Sequence, residues 1–299
     1  MKIPKGFHLV VKDKMPMFMC DAINNNPRFL QVFTTRKGGK SLKQYGSLNT
    51  GMHTGDDIRS VNSNIRRIEN ALGVKYVSAA NQVHGDRIVM LMPRKSKNTK
   101  IMKSRDAVDL KSMLSIDADG IISDIPGIAA GVRLADCAGT VIMDPVKNVT
   151  ASIHSGWKGV ANKIPSKAVK KMKKYFGSNP GDLTAAISPA IGPCCYEVGA
   201  EIYNQLQKQA VFSNIFTKKK GRIYMDLWAG VKNLLVAEGL KPENVHVCDI
   251  CTSCNPEYFY SHRRDKGKTG RQMAIGAVFQ PPLKLRRSSG QRKLQITND

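Results

Sequence analysis

The stretch from Gly127 to His154 most constrains the fold of this 299-residue chain. It contains three short apolar runs, Gly127–Cys137, Thr140–Asp144 and Val149–His154, which have the length and the flanking turn residues of β-strands. The last two runs are separated by Pro145-Val146-Lys147-Asn148, a sequence typical of a tight turn. We therefore predict strands whose ends carry Cys137 and His154, where a rigid sheet can present side chains for chemistry.

Helical patterns alternate with these strands. Asp57–Leu72 places apolar residues at helical spacing and is followed by Gly73, a residue that commonly ends a helix. Ile164–Phe176 has Pro165 in its first turn and Gly177 after its end. The remaining predictions are helices over Tyr196–Gln209 and Asp226–Glu238 and a strand over Tyr76–Val83. The pattern indicates a mixed α and β fold.

Composition narrows the class of protein. Lys and Arg number 47 against 23 Asp and Glu, which gives a net charge of +24 and predicts a solvated basic surface with salt-sensitive, nonspecific affinity for polyanions. We expect no membrane span and no secretory signal, and therefore a cytoplasmic protein. Seven cysteines, an odd number, favour free thiols or metal ligands over a disulfide framework.

The distribution of these features predicts one catalytic domain and a tail. We expect the domain to span residues 1–282 and to contain an exposed loop over Pro93–Lys103. The segment 283–299 is polar and basic and is predicted to be a flexible C-terminal tail.

Two histidines and one cysteine form the strongest chemical pattern. His84, Cys137 and His154 supply an imidazole, a thiolate and a second imidazole, a set that binds zinc and leaves a fourth coordination position open. Asp136 precedes Cys137 and can orient a metal-bound histidine or transfer a proton, although capping a turn is the simpler interpretation.

Further cysteines and arginines are weaker candidates. Cys194 and Cys195 open a predicted helix, where a thiol pKa falls, although close packing explains them equally well. Cys248, Cys251 and Cys254 resemble part of a metal-ligand run, but no fourth cysteine follows them. Basic loops carrying Arg36, Arg264 and Arg271 offer guanidinium groups for a phosphate, although the first loop lacks the leading glycine of a nucleotide-binding P-loop.

Eight short segments occur in a distinctive order between Phe33 and Val278. They are Arg36–Gly39, Ser47–Gly51, Gln82–Gly85, Ala135–Cys137, His154–Gly159, Gly192–Gly199, Cys251–Cys254 and Arg263–Asp265. Together they resemble the family known as laccase-domain or polyphenol oxidase proteins, whose members are described as purine nucleoside phosphorylases with adenosine deaminase activity. The chain departs from the family pattern at Lys158, where arginine is usual, and at Gly139, where proline often stands.

The resemblance implies both a fold and a site. The expected fold is α+β, a single-domain four-layer α/β/β/α sandwich resembling the bacterial toxin deamidase-like fold. The implied zinc ligands are His84, Cys137 and His154, and copper can occupy the same ligands. Catalysis is assigned to these three residues and Asp136. Substrate binding is assigned to Arg36, Asn49, Cys195 and Arg264.

The function implied is phosphorolysis of adenosine, inosine and S-methyl-5'-thioadenosine to the free base and (methylthio)ribose 1-phosphate. Adenosine deamination is implied as well, because zinc lowers the pKa of a bound water enough for attack on purine C6. Purine nucleosides and phosphate are thus the expected partners. The sequence leaves open the preferred nucleoside, the oligomeric state and the roles of Cys248 and the tail.

Three alternatives remain. Cys137 could act as a nucleophile with His154 as its base, in an amidase acting on peptidoglycan precursors. A copper polyphenol oxidase is disfavoured, because a multicopper centre needs about eight histidines and the chain has six, with no His-Xaa-His pair. The third alternative is a basic nucleic-acid-binding protein with a structural metal.

Overall fold

The computed structural model describes residues 2–91, 106–109 and 113–280. The strands are β1 Phe7–Lys12, β2 Met15–Cys20, β3 Phe29–Thr34, β4 Tyr76–Ser78, β5 Ile88–Leu91, β6 Ala107–Val108, β7 Gly120–Ser123, β8 Ile128–Leu134, β9 Ala138–Asp144, β10 Val149–Ser155, β11 Thr184–Ile187, β12 Glu197–Val198, β13 Phe216–Lys219, β14 Arg222–Met225, β15 Val245–Val247 and β16 Gln272–Val278. The α-helices are α1 Asp21–Asn24, α2 Ile58–Leu72, α3 Trp157–Ala161, α4 Ile164–Phe176, α5 Ala200–Leu206 and α6 Leu227–Ala237.

Most of these strands belong to two large sheets. The first has the order β1-β2-β3-β16-β8-β4, and the second has the order β15-β11-β9-β10-β7-β5-β6. A small third sheet has the order β12-β14-β13. In the second sheet β9 and β10 are antiparallel, and their register places His154 opposite Gly139. This pairing brings the start of β9 beside the end of β10.

The two large sheets face each other across an apolar layer. Phe33 and Val132 of the first sheet share one buried cluster with Val141 and Met143 of the second. Side chains alternate along each strand, so that within β16 Ala274 belongs to this inner cluster. Its neighbour Met273 belongs to a different cluster on the opposite face of the first sheet.

Helices cover the outer faces of both sheets. Ile68 and Leu72 of α2 pack with the outward-facing residues of the first sheet. Helices α4 and α6 pack on the second sheet, where Val169 and Leu234 share its largest apolar cluster. Burial of this apolar surface is the main stabilising contribution, at about 25 cal/mol per Å².

Several sequence predictions are confirmed. The helix predicted over Asp57–Leu72 begins at Ile58, because Asp57 caps it by accepting hydrogen bonds from the Arg59 and Ser60 N–H groups. It ends at Gly73, which adopts a left-handed conformation with φ of 65°. The helices predicted over Ile164–Phe176 and Asp226–Glu238 also form, the second between Leu227 and Ala237. The three predicted strands correspond to β8, β9 and β10.

Two predicted elements are wrong in extent. The predicted helix Tyr196–Gln209 exists only over Ala200–Leu206, because Glu197 and Val198 pair with β14 instead. The predicted strand Tyr76–Val83 stops at Ser78, where its pairing with β8 ends. The predicted loop Pro93–Lys103 and tail 283–299 lie outside the described residues. In the described part of the chain, no helix has the length and apolar character needed to span a membrane.

Candidate metal centre

His84, Cys137 and His154 come from three different parts of the fold and converge on one point. Cys137 occupies the connection from β8 to β9, His154 lies in β10, and His84 lies in the loop after β4. Their ligating atoms lie within 4.8 Å of one another. The two imidazole rings meet edge to face, with centroids 4.8 Å apart. The structure thus brings together the three residues that the sequence predicted.

A buried carboxylate that the sequence reasoning missed holds two of these ligands. Asp119 stands just before β7 and is fully buried. Its oxygens accept hydrogen bonds from the backbone N–H groups of Val83, His84 and Gly85 at 3.3, 3.0 and 2.7 Å. Its Oδ1 also lies 2.8 Å from Nδ1 of His154. Asp119 therefore fixes the His84 loop and the His154 ring at the same time.

The contact with Asp119 determines which nitrogen of His154 is available. Burial opposes ionisation of Asp119, but the hydrogen bond and charge of His154 outweigh burial and lower the carboxyl pKa. An ionised carboxylate only accepts hydrogen bonds, so Nδ1 of His154 carries the proton. Nε2 is then the nitrogen that a metal ion can bind, by displacing its proton. A histidine held by a carboxylate in this way is a recurrent feature of metal sites.

The thiol of Cys137 has an unusual environment. Burial by itself favours the neutral thiol, but the charges and hydrogen bonds of His154 and His84 prevail and lower the Cys137 pKa to about 6. Burial likewise opposes protonation of His154, yet Cys137 and Asp119 raise its pKa to about 9. Cys137 is therefore a thiolate at neutral pH, the form that binds metals.

The backbone around the site is strained where ligands must be positioned. His84 and Asp136 both adopt positive φ angles, 57° and 84°, a conformation that is uncommon for residues other than glycine. Gly156 lies directly against the ligands: a Cβ atom there would come within 3.0 Å of Cys137 Sγ and 3.2 Å of His84 Nδ1. A side chain at position 156 would therefore crowd the ligands.

The three ligands open onto a cavity of about 600 Å³. Two aromatic side chains, Trp157 and Tyr196, stand in its wall together with Asp136. Asp136 is buried, and its two oxygens accept hydrogen bonds from the Thr252 hydroxyl and the Arg263 N–H, each at 2.7 Å. Further cationic or imidazole groups complete the lining: His53, Arg133, Lys158, His262, Arg263 and Arg271.

Two of these arginines, Arg133 and Arg271, are partly buried. Arg133 donates to the carbonyl oxygens of Thr50 and Ala80, and burial lowers its pKa to about 10. Arg271 donates to the carbonyl oxygens of Thr269 and Gly270, and burial lowers its pKa as well. A partly desolvated guanidinium regains favourable electrostatic interaction when an anion binds beside it. Sequence reasoning included Arg271 among the guanidinium groups that could bind a phosphate, but it missed Arg133, which stands in no phosphate-binding motif.

The four residues predicted to bind substrate lie around this cavity and are not among its lining residues. Arg36 donates to the carbonyl oxygens of Gly46 and Pro256. Arg264 pairs with Asp265, and Asn49 is a buried connector between two loops. Cys195 lies beside Cys254, with their Sγ atoms 3.4 Å apart.

The donor set fits a metal ion. It combines a thiolate, a buried imidazole whose Nδ1 is held by Asp119 and an exposed second imidazole, and it faces a cavity that can admit a further ligand. Three protein ligands with an open position are typical of catalytic rather than structural metal sites. Zinc and copper both accept nitrogen and sulfur ligands.

The fold and site define a mixed α and β protein with a His–Cys–His cluster that can hold a metal ion at the end of a sheet. Residues 30–278 match the family described as "Multi-copper polyphenol oxidoreductase laccase". The chain belongs to this family.

The chain is similar in sequence to a purine nucleoside phosphorylase and similar in structure to two solved proteins. The chain is 33% identical to purine nucleoside phosphorylase YlmD of Bacillus subtilis (strain 168), over 84% of this chain and 89% of that protein. The crystal structure of Bacillus licheniformis hypothetical protein YfiH superposes with a TM-score of 0.79 at 30% identity, covering 92% of this chain and all of the other. YlmD from Geobacillus stearothermophilus superposes with the same TM-score at 28% identity, covering 93% of this chain and all of the other.

Proposed function

We propose that this protein is a zinc-dependent purine nucleoside phosphorylase that also deaminates adenosine. Its substrates are adenosine, inosine and S-methyl-5'-thioadenosine, with phosphate as the second substrate. The observation that carries the proposal is the His84–Cys137–His154 cluster opening on a cavity lined by partly buried guanidinium groups. The name of the B. subtilis relative supports purine nucleoside phosphorylase activity.

The cavity meets the demands of phosphorolysis. The reaction forms a bond between a phosphate oxygen and C1′ of the ribose and breaks the bond from C1′ to the base, whose nitrogen keeps the electron pair. Arg133 and Arg271 are our candidates to hold the phosphate, because burial weakens their hydration and favours an anionic partner. Trp157 and Tyr196 offer aromatic surfaces against which a purine can stack.

The remaining roles follow from position. Zinc bound by His84, Cys137 and His154 would supply a Lewis acid with an open coordination position. Asp136 lines the same cavity and is our candidate to exchange a proton with the departing base. Arg36, Asn49, Cys195 and Arg264 shape the loops around the cavity. We also infer the four-layer α/β/β/α arrangement from the packing of the helices on two facing sheets. One catalytic domain over 1–282, its likeness to toxin deamidases and a cytoplasmic location remain predictions.

The experiment is product identification with purified protein of known metal content. The protein is incubated with adenosine in the presence and absence of phosphate. Adenine and ribose 1-phosphate, formed only with phosphate, would support phosphorolysis, and inosine would support deamination. If metal-loaded protein forms none of these products, the proposal is wrong.

A second candidate function rests on a specific contact pattern. Cys137, His154 and Asp119 form a chain of thiol, imidazole and carboxylate, an arrangement also used by cysteine hydrolases. An amidase acting on peptidoglycan precursors would use Cys137 as a free nucleophile. Metal analysis separates the two functions, because a thiolate bound to zinc is not available for attack.

A further inference from the structure

Four cysteines form a second cluster outside the His84–Cys137–His154 centre. The Sγ atoms of Cys194, Cys195, Cys251 and Cys254 all lie within 4.8 Å of one another. Cys254 Sγ is 3.7 Å from Cys194 Sγ and 3.4 Å from Cys195 Sγ. All seven cysteines of the chain are free thiols in the structure. We call this group the four-thiol cluster.

The fold itself brings the two pairs together. Strands β11 and β15 are parallel neighbours, so the segments that follow them leave the sheet side by side. Ala190 and Cys251 continue this parallel pairing as an isolated bridge, and the Thr252 N–H donates to the Ala190 carbonyl oxygen at 2.9 Å. Cys194 and Cys195 then follow one segment, and Cys254 follows the other. The cluster is therefore built on sheet pairing rather than on a chance approach of two loops.

The geometry of the thiols suits a tetrahedral metal ion. Zinc binds thiolate sulfur at about 2.3 Å, which places the sulfurs of a four-cysteine site about 3.8 Å apart. The distances from Cys254 Sγ to Cys194 Sγ and Cys195 Sγ are close to this value. The Gly192 N–H donates to Cys251 Sγ at 3.3 Å, a contact that stabilises a metal-bound thiolate. One disulfide would engage two of the four sulfurs, whereas a metal ion engages all four.

The net positive charge of the chain favours a metal site that carries negative charge. Four thiolates around Zn²⁺ carry a net charge of −2, and their deprotonation on binding involves no oxidation or reduction. The Arg264 guanidinium donates to the carbonyl oxygens of Thr252 and Ser253, the two residues between Cys251 and Cys254. The chain as a whole carries a net charge of +24. The net charge favours an anionic metal site, and Arg264, whose own charge is paired with Asp265, holds the backbone between Cys251 and Cys254.

We propose that Cys194, Cys195, Cys251 and Cys254 bind a zinc ion as a structural tetrathiolate site. This site is separate from the His84–Cys137–His154 centre. Its four protein ligands leave no position for substrate, which is the usual difference between a structural and a catalytic zinc site.

The proposed site has a consequence for the cavity. Tyr196 directly follows Cys195 and stands in the cavity wall. Thr252 directly follows Cys251 and donates to Asp136 at 2.7 Å. A metal ion that joins the two cysteine pairs would therefore fix Tyr196 in the cavity wall and Thr252, the hydrogen-bond donor to the cavity residue Asp136.

The test is the metal content of the full-length chain purified under reducing conditions. We expect about two zinc ions per wild-type chain and about one in Cys254→Ser, whose altered side chain is exposed. Cys137→Ser should also bind about one, at the other site. Cys248→Ala is the matched control, because Cys248 is a buried core thiol outside the cluster, and it should keep both ions. Circular dichroism reports whether each variant is folded.

Cobalt substitution identifies which site is loaded. Sulfur-to-cobalt charge-transfer absorption increases with the number of thiolate ligands. It should therefore be strong in Cys137→Ser and weak in Cys254→Ser. One zinc ion per wild-type chain with all four cluster thiols open to alkylation would overturn the proposal. A disulfide within the cluster of the metal-replete wild-type protein would overturn it as well. Both outcomes are independent of nucleoside turnover, so failure of the proposed function leaves this test intact.

Discussion

The His84–Cys137–His154 centre and the four-thiol cluster use cysteine in opposite ways. In the first, the Cys137 thiol lies between two imidazoles, and Asp119 holds the His84 loop and the His154 ring. In the second, four thiols face one another at the protein surface, and Cys194 and Cys254 are exposed. The first opens on a cavity and leaves a coordination position, whereas the second offers a closed set of four ligands. The two regions differ because the neighbours of a thiol, more than its exposure, determine its chemistry.

The largest expected difference is in thiol reactivity after metal removal. The Cys137 pKa is lowered to about 6, despite the opposing effect of burial, because His154 and His84 stabilise the thiolate. The Cys254 pKa is raised to about 11 by hydrogen bonding to Cys195 and by burial. Above pH 6 Cys137 is therefore mostly thiolate, while Cys254 stays protonated until the pH approaches 11. We expect iodoacetamide at pH 7 to modify Cys137 about a hundredfold faster than Cys254.

Peptide mass spectrometry of chelated protein across a pH series measures both rates. The rate at Cys137 should rise through pH 6 and then level off. A midpoint near pH 9 for Cys137, or faster labelling of the more exposed Cys254 at pH 7, would remove the proposed contrast between the two regions.

The second effect concerns the carboxylate that anchors the first centre. Asp119→Asn replaces acceptor oxygens that receive three backbone N–H groups and the His154 ring with an amide that is partly a donor. We expect the metal affinity of the first centre to fall about 10- to 100-fold. Competition with a chromogenic chelator measures the change.

Asp117→Asn is the matched control, since Asp117 is exposed and its side chain accepts a hydrogen bond from Asn81 rather than from His154. It should retain wild-type affinity. Equal affinity in Asp119→Asn and wild type would show that the carboxylate does not support the metal ligands.

The smallest effect comes from crowding the ligands. A methyl group in Gly156→Ala would lie 3.0 Å from Cys137 Sγ and 3.2 Å from His84 Nδ1, so one of the ligands must shift. We expect metal affinity to fall about tenfold, as for other small overpacking changes. Gly181→Ala is the control, because its new methyl group would meet its nearest neighbours at an ordinary 3.7 Å. Unchanged metal affinity in Gly156→Ala would show that the ligands are free to move.

Regular elements and short motifs were the parts that could be predicted from sequence. The helix over Ile58–Leu72 carries its own signals, Asp57 before it and Gly73 after it. The three candidate metal ligands were found because each stands in a recognisable segment. Glu197 and Val198 were predicted as helical because their strand partner, β14, is formed by residues more than twenty positions away. Local propensity cannot reveal such a partner.

Asp119 and the four-thiol cluster were missed for the same reason, because their important contacts are with residues far away in the sequence. Asp119 stands between two short apolar stretches, and its importance arises from hydrogen bonds to a loop 35 residues earlier and to His154. The one feature of the sequence that could have indicated Asp119 is its position directly before an apolar run that begins with Gly120. The four-thiol cluster was missed because a fourth cysteine was sought after Cys254, whereas its partners lie about sixty residues earlier. Parallel pairing of β11 and β15 brings them together, and spacing alone does not show it.

We propose that the His84–Cys137–His154 centre catalyses phosphate-dependent cleavage of a purine nucleoside. The most direct measurement is adenine release from adenosine and phosphate by wild type and Cys137→Ala, with zinc measured on the same samples. Loss of a metal that stabilises the transition state by several kcal/mol predicts a decrease of about a thousandfold in Cys137→Ala. Full turnover in Cys137→Ala, or no phosphate-dependent release by zinc-loaded wild type, would contradict the claim.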